Sequence, residues 1–311
     1  MGKYTITVGQ NLYDISMHLY GSTEGIVDLM IQNPELSLED KLKAGNTLQY
    51  TDDFTINPDI IAYNKAHGII PAAGERHVYY KEPSFRKVME FHLPAGRTSA
   101  GITFSGRGKL EMDWGDNSAL QEATITANPI TLQHNFDNTT PDKRKIRIYG
   151  TGLSFEILDI TLVQADSAFF LQPVYVEKFI LRKAEINIGF LSLLKGTYDM
   201  DLAGMATADL TSLLKSKRLM KLNLSNTNLK ESVLDEFLIG LVRRYEERRN
   251  CHILLTLRPS GIYREPPCDE AGNYNPTTGM EAVWILTHEP SWNEAGYWKI
   301  QINNEIYTTQ P

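Results

Sequence analysis

The stretch MDWGDNS at 112–118 places two carboxylates, Asp113 and Asp116, on either side of a Trp-Gly pair. Carboxylates this close together could bind Ca²⁺ or share a proton. The same residues could instead shape a turn, with the indole ring of Trp114 packed into the protein. The first interpretation gives the carboxylates a binding or acid–base role, and the second gives them a structural one.

The other side chains that commonly catalyse reactions are scattered along the chain. No HxxH, HExxH or HxH spacing joins any two histidines, no cysteine belongs to a CxxC pair, and no GxSxG is present. In a strand, Cys251 and His252 would point to opposite faces, so they cannot form a nucleophile–base pair. Cys251 lies in the apolar run CHILLTL and is expected in the core, whereas Cys268 lies in a polar, Pro-rich loop and is expected to be exposed. The sequence therefore predicts no catalytic residue, no metal and no cofactor. The seven histidines are His18, His67, His77, His92, His134, His252 and His288.

Composition limits the classes of partner. The 311 residues are 42% apolar and 22% charged, which is typical of a globular chain with several domains. The 38 acidic and 31 basic residues give a net charge of -7, which argues against binding to nucleic acid. No window approaches about 20 uninterrupted apolar residues, so no membrane span is predicted. The N-terminus lacks a basic stretch followed by an apolar one, so we expect cytoplasmic synthesis without a signal peptide.

The first fifty residues predict a short α+β module. KYTITV alternates like a strand, and Asn11 can cap a helix over 12–20 that Gly21 ends. A second amphipathic helix is predicted over 23–32, and the run NTLQY at 46–50 reads as a strand. The predicted order is strand, helix, helix, strand.

This order of elements, together with the residues at twelve positions, resembles the LysM family. The family pattern has a Gly-Asp/Gln-Thr/Ser-Leu turn, a YG pair, an Asn-Pro element and a final GxxL. The matching residues are Gly9, Gln10, Leu12, Asp14, Ile15, Tyr20, Gly21, Asn33, Pro34, Leu42, Gly45 and Leu48. The resemblance implies a shallow groove between two loops that holds chains of N-acetylglucosamine. Its residues would be Gly9, Gln10, Asn11, Leu12, Asn33, Pro34 and Glu35.

The stretch NPDIIAYNKAHGIIPAAG at 57–74 is similar to the tail that follows the LysM-like domain of phage and prophage tail or baseplate proteins. In those proteins the module is structural. We therefore assign residues 1–80 to a LysM-like domain with a short extension, and we favour a docking role over sugar binding, because a single copy lacks the avidity of repeated modules.

Residues 87–165 alternate seven β-like runs with Gly, Asn and Asp turns, which predicts an all-β antiparallel sandwich. The combination of MDWGDNS with HNF at 134–136 and RIYG at 147–150 resembles a PKD-type domain. That resemblance implies that Trp114 anchors the core and that the flanking carboxylates shape a turn, which favours the structural interpretation.

Residues 174–311 contain a repeat. Ile180, Leu202 and Leu224 recur with a period of 22 residues, and the LxLxxTxL pattern that begins at Leu222 resembles a leucine-rich repeat. The resemblance implies an α/β solenoid. A helix over 232–250 is predicted to widen the next interval to 33 residues, from Leu224 to Leu257, and a helix and strand after 279 read as a cap.

Stacked strands of a solenoid expose alternate side chains to a partner. The outward positions are predicted to include Lys178, Asp201, Lys221 and Asn223. Aromatic residues near the C-terminus either anchor that partner or pack the cap, and they are Tyr263, Tyr274, Trp292, Tyr297 and Trp298.

We therefore expect a multi-domain, non-enzymatic structural or binding protein, a phage- or prophage-derived tail or baseplate component whose partners are other tail proteins. In this hypothesis the chain leaves the cytoplasm only as part of the particle. The alternative is an adhesin that binds peptidoglycan or another glycan through the LysM-like domain, and a cell-wall hydrolase ranks third.

Overall fold

The computed structural model describes residues 1–38, 40, 42–72, 81–136, 143–243, 250–294 and 296–308. It is a mixed α/β structure with a large multi-stranded sheet and few helices. The chain divides into two compact units, an N-terminal unit, Met1–Val78, and a C-terminal unit, Tyr79–Pro311. A search of the described helices finds none with the length and apolar character that crossing a membrane requires.

The N-terminal unit has the predicted order of strand, helix, helix and strand, followed by a third helix. Its elements are β1 (Gly2–Thr5), α1 (Leu12–Tyr20), a 3₁₀ turn (Thr23–Gly25), α2 (Ile26–Gln32), β2 (Thr47–Tyr50) and α3 (Pro58–Ala66). Strands β1 and β2 pair antiparallel. The predicted second helix therefore begins as a 3₁₀ turn and becomes α-helical at Ile26.

Local capping fixes α1. The Asn11 side chain accepts a hydrogen bond from the Asp14 amide at 2.9 Å, and the Asp14 carboxylate accepts one from the Asn11 amide at 3.0 Å. Such a capping box satisfies two amides that a helix start leaves free. Gly21 ends the helix at φ 70°, and an added Cβ would lie 2.1 Å from the Asn57 carbonyl oxygen. The core of the unit consists of Ile6, Leu12, Ile15, Tyr20, Leu29 and Leu48.

In its described residues the C-terminal unit contains thirteen strands and three α-helices. The antiparallel strands are β3 (Lys87–Leu93), β4 (Ser99–Asp113), β5 (Gln121–Ile125), β6 (Ile130–Asn135), β7 (Arg144–Asp159) and β8 (Ser167–Phe170). The later elements are β9 (Val174–Ile180), β10 (Leu194–Lys195), β11 (Asp199–Asp201), β12 (Lys221–Leu224), α4 (Glu231–Arg243), β13 (His252–Leu255), α5 (Gly279–His288), α6 (Pro290–Asn293), β14 (Lys299–Ile302) and β15 (Glu305–Tyr307). Three 3₁₀ turns span Thr161–Val163, Gly189–Leu193 and Thr211–Lys215.

Two long strands, β4 and β7, replace four of the predicted short ones. The runs AGITF and GKLEMDWGD both fall in or beside β4, and KIRIYG and FEILDITLV both begin in β7. The glycines between these runs form bulges within continuous strands. Gly106 has φ 134°, and an added Cβ there would lie 2.1 Å from the Ser154 carbonyl oxygen of the paired strand. Only glycine permits this approach, so the strand bends without ending.

Strands β9 and β11 to β14 pair parallel, and β15 closes the sheet edge antiparallel to β14. The predicted register is wrong by one residue at its start, because Ile180 pairs with Asp201 and not with Leu202. Leu181 is buried and donates its amide to the Asp201 carbonyl oxygen, so it takes the position equivalent to Leu202. The later interval is also wrong, since Leu224 pairs with Leu255.

The last residues of β7 pair parallel with β9. One sheet therefore joins the two regions between which the sequence suggested a boundary, at residues 166–173. One hydrophobic cluster extends from Val88 to Ile302 in this unit. Parts of three predicted features lie outside the described residues: positions 73–80 of the first domain, which include His77, positions 137–142 of the predicted sandwich, and positions 244–249 of the predicted helix.

Candidate functional site

The parallel strands present two rows of side chains on one face of the sheet. Residues in a row are Cα partners on neighbouring strands. A third row lies between these two along the strands, and its side chains are apolar, buried and directed to the opposite face of the sheet. We call these two rows the outer face. The first row is Lys178, Asp199, Lys221, His252 and Lys299, and the second is Ile180, Asp201, Asn223, Leu254 and Gln301. The buried row between them is Phe179, Met200, Leu222, Ile253 and Ile300.

The structure brings together the four residues predicted to contact a partner. Lys178 and Lys221 lie in the first row, on either side of Asp199. Asp201 and Asn223 are neighbours in the second row. They share a face because successive side chains in a strand alternate between its two faces.

Polar groups at the β9–β11 end of the outer face are bonded to one another. The Asp201 carboxylate accepts hydrogen bonds from Arg182 Nε at 2.9 Å, from Asn223 Nδ2 at 3.0 Å and from the Ala203 amide at 3.2 Å. Lys178 Nζ lies 3.4 Å from Asp199 Oδ2. Asp201 is therefore a structural tie between strands, and only 8% of the residue is exposed.

The β12–β14 end of the outer face is different. Lys221, His252 and Lys299 occupy consecutive positions of the first row, with no carboxylate between them. Burial lowers the pKa of His252, and the positive charges of Lys299 and Lys221 lower it further. The sequence analysis selected Lys221 but missed the other two, because long inserted segments separate them along the chain.

The outer face continues into the antiparallel strands. Ile157 and Asp159 of β7 pair with Lys178 and Ile180 of β9, and Asp159 pairs with Thr103 of β4. Sequence reasoning missed this extension because it placed a domain boundary between β7 and β9.

The side-chain amides of Gln10 and Asn33, in the predicted sugar-binding loops, form hydrogen bonds within the N-terminal unit. Gln10 is 6% exposed, and its side chain accepts from the Thr7 amide at 2.9 Å and donates to the Pro71 carbonyl oxygen at 3.0 Å. Asn33 is 4% exposed. Its Nδ2 donates to the Leu29 and Gln49 carbonyl oxygens at 2.8 Å, and its Oδ1 accepts from the Gln49 amide at 2.9 Å.

The other predicted loop residues divide into structural and exposed ones. Asn11 caps α1, and Leu12 is in the core. Gly9, Pro34 and Glu35 are exposed. A ligand of these loops would therefore meet their backbone and these three exposed residues rather than the Gln10 or Asn33 amide.

The stretch 112–118 forms a closely bonded turn. Trp114 is buried, as expected, and its ring stacks on the His134 imidazole at a centroid distance of 5.0 Å. The Asp113 carboxylate accepts hydrogen bonds from the Gly115 amide at 2.9 Å and from Arg147 at 3.0 Å. His134 Nε2 lies 2.6 Å from Asp116 Oδ2.

Burial acts to raise the pKa of Asp116, but hydrogen bonds from Ser118 and His134 outweigh it and lower the pKa to about 2. Hydrogen-bond donors of the protein itself thus bond to both the Asp113 and the Asp116 carboxylate, which agrees with the interpretation of this stretch as a turn. Across the described residues, no group of three or more His, Cys, Asp or Glu side chains is arranged to hold a metal ion.

The cysteine predictions are confirmed, since Cys251 is buried and Cys268 is exposed. For the C-terminal aromatic residues, the packing alternative holds at both tryptophans. Trp292 and Trp298 are buried and meet edge to face at 6.0 Å, whereas Tyr297 is 46% exposed.

An open groove of about 730 Å³ lies where β4 and β7 bulge beside the start of β9. No local pattern in the sequence indicates this groove, because it depends on two strands bending together. Its lining residues are Gly106, Arg107, Gly152, Leu153, Ser154, Glu156, Tyr175 and Glu177.

Comparison of the chain with protein-family models, curated proteins and solved structures finds no match. The resemblances to LysM, PKD-type and leucine-rich-repeat domains therefore stay predictions.

Proposed function

We propose that the chain is a non-enzymatic binding component of a larger assembly, in which the outer face of the C-terminal unit holds a protein partner. The observation that supports this most is the strand register. It places ten side chains from five parallel strands on one face, above a row of buried apolar residues. Because backbone pairing and a packed core hold this face, its backbone loses little conformational freedom on binding.

The size of this face supports a protein partner. With β7, β4 and β6 it spans eight strands, and at about 4.8 Å between neighbouring strands its width is about 34 Å. A standard protein–protein interface covers about 800 Å² on each partner, which is about 28 Å on a side. Across the strands, the face is therefore as wide as a standard interface with a folded partner.

The N-terminal unit is proposed to dock the chain to that assembly, a phage- or prophage-derived tail. The LysM-like residue pattern supports the identification of the assembly as such a tail. A docking role is favoured over sugar binding because the Gln10 and Asn33 amides, which could have bonded a ligand, are bonded within the unit.

The test is incorporation of the tagged full-length chain into particles purified from its source cells. Asn223→Arg with Leu254→Arg places two bulky charges on the outer face and should reduce co-purification of the chain with the particle at least tenfold. Asn128→Arg with Leu171→Arg makes the same exchanges at exposed positions away from that face and should leave it unchanged. The proposal is wrong if both double variants behave alike or if the wild-type chain is never found with particles.

A further inference from the structure

Three consecutive positions in the first row of the outer face form what we call the basic row: Lys221, His252 and Lys299. Lys221 of β12 is the Cα partner of His252 of β13, which is the partner of Lys299 of β14. All three side chains lie on the side of the sheet opposite to the buried residues Leu222, Ile253 and Ile300.

No carboxylate of the described residues forms an ion pair with the basic row. Within the part of the chain that the structure describes, neither Lys221 nor Lys299 makes a hydrogen bond or an ion pair through its side chain. His252 Nε2 is buried there without a hydrogen-bond partner. Elsewhere on the same face the charges are paired, as in Lys178 with Asp199 and Arg182 with Asp201.

This arrangement works against folding, because two positive charges without ion-pair partners, two strands apart, repel each other and a buried imidazole nitrogen loses its bond to water. Sites that break such rules without compensation inside the protein are expected to be functional. The positive charge is also local, since the whole chain carries a net charge of -7. A partner with two suitably spaced carboxylates would neutralise both lysines.

The spacing gives the shape of that partner. Strands lie about 4.8 Å apart, so the backbones at Lys221 and Lys299 are about 10 Å apart. Two turns of an α-helix rise about 10.8 Å, so acidic residues seven positions apart on one helix would reach both lysines. Leu254 and Asn223, in the second row, would meet the flank of such a segment.

We infer that the basic row binds an acidic segment of the partner protein, with one carboxylate on Lys221 and one on Lys299, on either side of His252. This inference rests on the proposed function, because it names the chemistry of the partner that the outer face holds.

Fluorescence anisotropy of the intact chain with a labelled decaglutamate peptide, at physiological salt, tests it. Lys221→Gln with Lys299→Gln should raise the Kd about tenfold, as expected for the loss of two charge pairs. Lys109→Gln with Lys215→Gln removes the same charge from two exposed lysines outside the row and should change the Kd by less than about twofold. A decaglutamine peptide should not bind.

The inference is overturned if the Lys221/Lys299 variant binds decaglutamate as tightly as wild type, or if a labelled dT10 oligonucleotide binds the wild-type chain more tightly than decaglutamate. The latter result would assign the row to a phosphate backbone. Either result is distinguishable from failure of the proposed function, because the Asn223/Leu254 variant would still show reduced co-purification with the particle.

Discussion

The loop amides of the N-terminal unit and the basic row of the C-terminal unit use their polar groups in opposite ways. Asn33 makes three hydrogen bonds to α2 and β2, and these satisfy its whole amide. The side chains of Lys221 and Lys299, on either side of His252, make none within the described residues. A polar residue type shows only the capacity to bind, and the fold determines whether that capacity is already used.

The largest effect is expected at Asn33. Asn33→Ala removes three hydrogen bonds, one buried and two partly buried, and leaves the Gln49 amide without its acceptor, so it should lower the free energy of unfolding by about 3 kcal/mol. Hydrogen exchange of β2 amides in the intact chain, followed by mass spectrometry, measures this loss. Glu35→Ala, at an exposed position in the same loop, should cost less than about 0.5 kcal/mol. Equal exchange in the two variants would contradict the structural role of the Asn33 amide.

A second effect depends on pH. The pKa of Asp116 is lowered to about 2 in the folded protein, below the value of about 3.9 for an unfolded chain. A lowered folded pKa means that this stabilisation is complete above about pH 4 and is lost as the pH falls towards 2. Asp116→Asn should therefore remove about 2 kcal/mol from the pH dependence of the unfolding free energy in that window. Urea unfolding followed by tryptophan fluorescence measures it, and an unchanged pH dependence would contradict the assignment.

A smaller loss is expected for the paired end of the outer face. Asp201→Ala removes the acceptor of Arg182 and Asn223 and should lower the free energy of unfolding by about 1.5 kcal/mol. Asp209→Ala, which removes an exposed carboxylate from a loop of the same unit, is the matched control. Chemical denaturation compares the two, and a loss no greater than that of the control would mean that Asp201 does not tie the strands.

The smallest effect has the opposite sign. Lys221→Gln with Lys299→Gln removes the repulsion between two charges about 10 Å apart and should raise the free energy of unfolding by about 0.4 kcal/mol. Thermal unfolding at low salt should show a small increase in Tm that high salt removes, since salt screens the repulsion. A decrease in Tm would show that the lysines stabilise the fold, which would break the contrast with Asn33.

Local signals were enough to predict some elements. Helix α1 begins and ends where expected, because Asn11, Asp14 and Gly21 act within one turn of the helix. Strands β4 and β7 were wrongly divided, because a glycine at a bulge and a glycine at a turn look the same until the paired strand is known.

Longer-range features were harder to predict. Ile180 and Leu181 are both apolar, and only the pairing with Asp201 shows which of them is equivalent to Leu202. The basic row joins residues that helices α4 and α5 separate in sequence, so Lys221 could be selected but its neighbours could not.

The most direct test of the central claim, that the basic row is left free for a partner, is lysine acetylation footprinting of the free chain and of the chain in purified particles. The account predicts that Lys221 and Lys299 lose reactivity in the particle, whereas Lys109 and Lys215 keep theirs. Equal reactivity of Lys221 and Lys299 in the two states would contradict it.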